Sequence, residues 1–151
     1  MNNNRFNQKC VTQGCGTIVC NENGRKLELD CAGERFVKVK IDGCVEPKGG
    51  DNPRCDFMII KEDENIEIYI ELKGQDLKKA VKQIQQTIKM YGLSCANKYA
   101  AIVTTKIPKK DTSRDISIMS LVRITLNSPF VKNNYLKLLY NNSDNKISKI
   151  N

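Results

Sequence analysis

The chain is expected to be an α/β protein, a single domain with a mixed central β-sheet flanked by helices. Three observations carry that expectation. Two stretches alternate apolar and polar residues with period two, the mark of a strand. From Asp76 the apolar spacing changes to steps of three and four, the mark of an amphipathic helix. A further apolar run then follows at the distance a right-handed βαβ crossover requires.

In chain order, residues 1–24 are polar and glycine-punctuated and carry no clear periodicity, and "RKLELDC" reads as a short strand. In "RFVKVKIDGC", Val37, Val39 and Ile41 share one face, with Lys38, Lys40 and Asp42 on the other. "EPKGGDNPR" is turn chemistry, "CDFMII" is an apolar strand, and "KEDEN" is a charged turn. Ile66, Ile68, Ile70 and Leu72 then alternate with Glu67, Tyr69, Glu71 and Lys73, so this strand is expected to be half-buried. Three consecutive antiparallel strands result.

Leu77, Ala80, Val81, Ile84, Ile88 and Tyr91 form one helical stripe, with Asp76 as N-cap and Gly92 as stop. "KYAAIVTTK" is the next strand, parallel to its predecessor. Helices are expected around Ile116–Leu126 and Tyr135–Tyr140, followed by a mobile Asn-rich tail. The domain is taken as residues 1–151 with its core at about 36–105; residues 1–24 and 141–151 are the least specified.

At 151 residues and 40% hydrophobic, the chain can bury a core. It has no run of membrane-spanning length, and its polar start lacks the apolar centre of a signal peptide. A soluble, cytoplasmic protein with no membrane partner is the expectation. Lys plus Arg number 25 against 17 Asp plus Glu, a net charge of +8 that favours polyanions.

Seven cysteines, six of them in the first 55 residues, come with no histidine. The odd number and the absence of a secretory signal argue against a disulfide framework. Cys10, Cys15, Cys20 and Cys31 are thiols of the kind that structural zinc takes, but their spacing matches no common knuckle. Buried or incidental thiols are the expectation.

The charged constellation is Asp56, then fourteen intervening residues, then Glu71 and Lys73. If the turn falls at 61–65, the two carboxylates lie near one end of the sheet. Hard oxygens with room for water suit Mg²⁺, and the Leu72 carbonyl is a further candidate ligand. Lys73 could steady negative charge on a phosphate. The triplet alone means little, because "EPK" at Glu46–Lys48 repeats it and a surface ion pair would look the same.

Asp56, Glu71, Leu72 and Lys73, with the element order around them, resemble the PD-(D/E)xK nuclease superfamily, the restriction-endonuclease-like and Holliday-junction-resolvase-like fold. The resemblance covers about residues 36–105. It implies that Asp56 and Glu71 hold Mg²⁺, with Mn²⁺ able to substitute, and that Lys73 assists water in phosphodiester hydrolysis. Gln83 stands where several members carry a helical glutamine. The resemblance also implies nucleic acid as partner, DNA first, and allows a homodimer. Lys78, Lys79 and Lys82 are candidate phosphate contacts, with a solvated face as the alternative.

Two departures stand out. The proline lies at Pro53, three positions before Asp56. No helix precedes the first core strand to supply a further acid, and Asp42, Glu22, Glu28 and Glu34 are the substitutes. Two other readings stay open. One is a nucleic-acid-binding or assembly subunit with the same fold and no catalysis; the other is a cysteine-rich metal or redox module.

Overall fold

A computed structural model describes residues 5–72, 76–106 and 109–150. Strands β1 (Val11–Gly14), β2 (Thr17–Glu22), β3 (Arg25–Asp30), β4 (Phe36–Lys40), β5 (Phe57–Lys61) and β6 (Ile66–Glu71) precede helix α1 (Leu77–Tyr91). Strand β7 (Asn97–Thr104), helix α2 (Thr112–Thr125) and strands β8 (Phe130–Asn133), β9 (Tyr135–Asn141) and β10 (Lys146–Ile150) follow. The strands form two mixed sheets, one ordered β1-β4-β5-β6-β7-β8 and the other β10-β9-β3-β2.

The expected centre is present: β4, β5 and β6 pair antiparallel, and β7 joins β6 in parallel across α1. The Asp76 side chain accepts the Lys79 amide at 3.1 Å and caps α1. Gly92 ends it, because a Cβ there would lie 2.6 Å from the Ile88 carbonyl oxygen and 2.9 Å from the Tyr69 hydroxyl.

The layering differs from a sheet flanked by helices. Val39, Met58, Tyr69 and Ile102 face Val81 and Ile84 of α1 and Leu121 of α2, so both helices cover one face. Phe57, Ile59, Ile68, Ile70 and Val103 face Leu27, Leu29, Leu136 and Leu138 of the second sheet. The result is helices, sheet and sheet in three layers. Burial on both faces explains why β6 is buried at every position rather than half-buried.

Two expectations about the C-terminal part are corrected. Tyr135–Tyr140 forms β9, not a helix: Leu136, Leu138 and Tyr140 alternate inward, and β9 pairs in parallel with β3. The Asn-rich tail leads into β10, which pairs antiparallel with β9 and buries Ile147. The unassigned start of the chain supplies β1 at the edge of the first sheet and β2 at the edge of the second.

Cysteine usage is also corrected in part. Cys10 and Cys44 form a disulfide that ties the start of β1 to the turn after β4, so Cys10 is not a free thiolate for zinc. Cys20 and Cys31 are buried, and desolvation raises their thiols to about 12 and about 11 respectively. In the metal-free protein such thiols are protonated at neutral pH. Reducing the disulfide, which spans 34 residues, is expected to lower stability by about 2–4 kcal/mol. Chemical denaturation with and without reductant, and of Cys44→Ser, measures the shift in midpoint. No helix among the described residues is long and apolar enough to cross a membrane.

Candidate functional site

The site forms where β4, β5 and β6 end together. Asp56 immediately precedes β5, and its amide donates to the Ile70 carbonyl at 3.0 Å. Its own carbonyl accepts two consecutive amides, Ile41 at 3.0 Å and Asp42 at 3.3 Å. Two donors on one acceptor mark a β-bulge, a device that re-aims side chains at a strand end. The Asp56 carboxylate then turns inward, where Oδ2 accepts the Leu72 amide at 2.7 Å.

Glu71 closes β6 on the face toward α1, the face it shares with Tyr69. Both acids are buried, Asp56 at 2% exposure and Glu71 at 0%. Burying carboxylates is costly unless cations or hydrogen bonds compensate them. Lys73, the third member of the constellation, lies outside the described residues.

Above the buried pair, α1 is tied to the strand entry. Thr87 Oγ1 donates to the Gln83 carbonyl at 2.8 Å and accepts the Cys55 amide at 2.9 Å. Cys55 beside it is fully buried, and desolvation pushes its thiol well above the ordinary range. Gln83 thereby lines a cleft of about 380 Å³ together with Asp42, Arg54, Lys79 and Lys82.

Arg54 is the organiser of that cleft. Its Nε donates to Asp42 Oδ1 at 3.0 Å, and its other nitrogens donate to the carbonyls of Pro47, Gly50 and Asn52. The guanidinium thus folds the Pro/Gly-rich loop around itself and holds Asp42 at the rim. Gly43, at a φ of +89°, makes the turn that follows.

The structure therefore gathers Asp42, Asp56, Gln83, Lys79 and Lys82 around the ends of β4 to β6. It separates Lys78, which lines a different cleft of about 290 Å³ with Lys109, Asp111 and Arg114 between the starts of α1 and α2. Among the substitute acids, Glu28 accepts the Tyr135 hydroxyl at 2.7 Å and pairs with Lys26 at 3.2 Å. Its carboxyl is held below the usual range chiefly by the Tyr135 bond. Glu22 closes β2 opposite Arg25, whose side chain reaches the Leu72 carbonyl, whereas Glu34 lies before β4 at the far end of the sheet.

Two residues at the site were not singled out from the sequence. Arg25, the first residue of β3, donates from Nε to the Leu72 carbonyl and from Nη1 to Thr105 Oγ1 at 2.5 Å. The Leu72 peptide is thus held at both poles, its N–H by Asp56 and its C=O by Arg25. Thr104 is buried at the end of β7, and its hydroxyl has no hydrogen-bond partner among the described residues. The signal for Arg25 was local: it follows Asn23-Gly24, the strongest two-residue hairpin turn, with both residues at positive φ.

As donors, Asp56 and Glu71 fit Mg²⁺, which takes one or two carboxylates and keeps several waters. The Leu72 carbonyl retains one lone pair beyond the bond from Arg25. Among the described residues no three His, Cys, Asp or Glu side chains cluster as a metal group. No family model, no curated protein and no solved structure matches the chain.

Proposed function

We propose that this chain is a Mg²⁺-dependent nuclease that hydrolyses phosphodiester bonds of nucleic acid, DNA first. The observation that supports it most is the burial of two carboxylates, Asp56 just before β5 and Glu71 at the end of β6, with Lys79, Lys82 and Gln83 lining a cleft beside Asp42. Asp56, Glu71 and the Leu72 carbonyl would hold the ion, with Mn²⁺ as a substitute. When bound, the ion supplies a water of lowered pKa and neutralises charge on the phosphate.

The chain's own groups do the rest. Lys79 and Lys82 bind the phosphate backbone, and Gln83 orients the attacking water from the edge of α1. Lys73, two positions past Glu71, steadies the charge that develops on the phosphate. Asp42, held by Arg54, is the candidate third acid. A homodimer would present two such sites to two strands.

A second reading is favoured by burial. With Glu71 at 0% exposure and Asp56 Oδ2 on the Leu72 amide, the acids could serve the strand ends alone in a non-catalytic nucleic-acid-binding subunit. Incubating the purified chain with DNA and RNA in Mg²⁺ or Mn²⁺, beside Asp56→Ala and Lys73→Ala, separates the two. The nuclease reading expects cleavage that both variants lose. Cleavage equal in wild type and variants, or binding without any cleavage, sinks it.

A further inference from the structure

Arg25 is a cation whose partners in the fold are neutral. It enters from the second sheet, at the tip of the β2–β3 hairpin, and reaches the first sheet where the parallel strands β6 and β7 end. Its two bonds go to a carbonyl and a hydroxyl, Leu72 O and Thr105 Oγ1. No carboxylate pairs with it among the described residues. A guanidinium offers five N–H donors in a rigid fork, so two bonds leave one edge unused. The side chain is only partly exposed; Glu22 stands opposite it across the β2–β3 pair, and the remaining donors of the fork suit a further anion.

Its position decides which anion. The peptide it holds, Leu72, directly follows Glu71 and is bonded to Asp56 on its other side. Lys79 and Lys82, on the helix that follows β6, line a cleft with Asp42 and Arg54 just past the end of β4, whereas Arg25 comes from the opposite layer. A backbone lying across the sheet end would meet lysines on one side and the Arg25 fork on the other. Planar, bidentate recognition of a phosphate is what arginine does better than lysine.

We propose that Arg25 contacts a phosphate of the nucleic-acid strand as it crosses the ends of β6 and β7. The inference rests on the nucleic-acid substrate of the proposed function but not on catalysis, so it is tested in chelator without metal. Anisotropy titrations of a labelled DNA duplex and single strand, over a series of salt concentrations, compare wild type with Arg25→Gln and Arg25→Lys.

Arg25→Gln is expected to weaken binding about tenfold and to lower the slope of log K against log salt by about 1. Arg25→Lys should keep the wild-type slope. An unchanged slope in a folded Arg25→Gln chain means that Arg25 only braces the strand ends, and overturns the proposal while the nucleic-acid reading stands. A wild-type chain that binds no nucleic acid overturns both. Phenylglyoxal labelling of the wild-type chain, mapped by mass spectrometry, needs no variant. DNA should shield Arg25 from the reagent, and labelling unaffected by bound DNA refutes the contact.

Discussion

Glu67→Ala will cost the fold about 3–5 kcal/mol, the range for removing one partner of a buried charge pair. Glu67 stands near the start of β6, at the end of the sheet opposite the candidate site, and is fully buried. Its Oε2 takes Arg5 Nη2 at 2.5 Å, and its Oε1 takes the Tyr69 hydroxyl at 2.8 Å. The Leu93 amide approaches both oxygens at 3.3 and 3.2 Å, and Lys98 Nζ stands 3.6 Å away.

One carboxylate therefore ties the N-terminal segment, β6, the turn after α1 and β7. Burial, with Glu67 adding to it, pushes the Tyr69 phenol far above its ordinary value, so the phenol stays a donor at any working pH. Alanine would take the buried counter-charge from Arg5 and Lys98, leaving Arg5 the Tyr91 carbonyl and Glu64 at 3.9 Å and Lys98 the Leu93 and Ala96 carbonyls. Urea denaturation measures the loss; a midpoint within error of wild type would show that water or rearrangement replaces the carboxylate. Cleavage chemistry is not expected to respond beyond what lower stability explains, since the site lies at the other end of β6.

Glu71→Gln will abolish the effect of Mg²⁺ on both stability and cleavage. Ligand binding to the native state adds RT ln(1 + [L]/Kd), about 2.7 kcal/mol at a hundredfold excess over Kd. Wild type should therefore melt higher in Mg²⁺ than in chelator, and Asp56→Asn and Glu71→Gln should melt at one temperature in both. Amides keep the shape of the acids and lose their charge, so the comparison isolates the ion. Loss of even an outer-shell partner costs about 10–100-fold in metal affinity or activity, so losing a direct ligand should cost cleavage at least about a hundredfold. A wild-type melting point indifferent to Mg²⁺ and Mn²⁺ would remove the metal from the account and leave the binding-subunit reading in its place.

Local pattern carried the centre of the fold. The strand at Ile66–Glu71, the Asp76 cap and the stripe along α1 each arise from residues near one another in sequence, and each element is present. "YLKLLY" at 135–140 was different, because Leu136, Leu139 and Tyr140 fit a helical step as well as Leu136, Leu138 and Tyr140 fit a strand. Its partner β3 decides the matter, and that strand lies at the other end of the chain. The polar side of β6 was expected to face solvent for a similar reason: nothing in the strand announces that α1 will cover it.

At the site, strand and helix periodicity place Asp56 beside β5 and Gln83, Lys79 and Lys82 along one cleft, but the same periodicity did not show that Lys78 lines a different one. Arg25 was not, since its partner Leu72 is 47 residues away. The disulfide was missed because an odd set of thiols argues against pairing in general and says nothing about one pair.

The parallel pairing of β3 with β9 bears on how the chain is made. The first sheet needs little beyond β8, and most of its strands leave the ribosome early. The second layer joins strands more than a hundred residues apart, so the β2–β3 hairpin must wait for β9 and β10. Until they emerge, Leu27 and Leu29 have no cover from Leu136 and Leu138, and the β3 edge is open to other chains. Non-local parallel pairing is slow to form, which places the interval of greatest aggregation risk between the emergence of β3 and that of β9. A chain cut short before Tyr135 would remain in that exposed state.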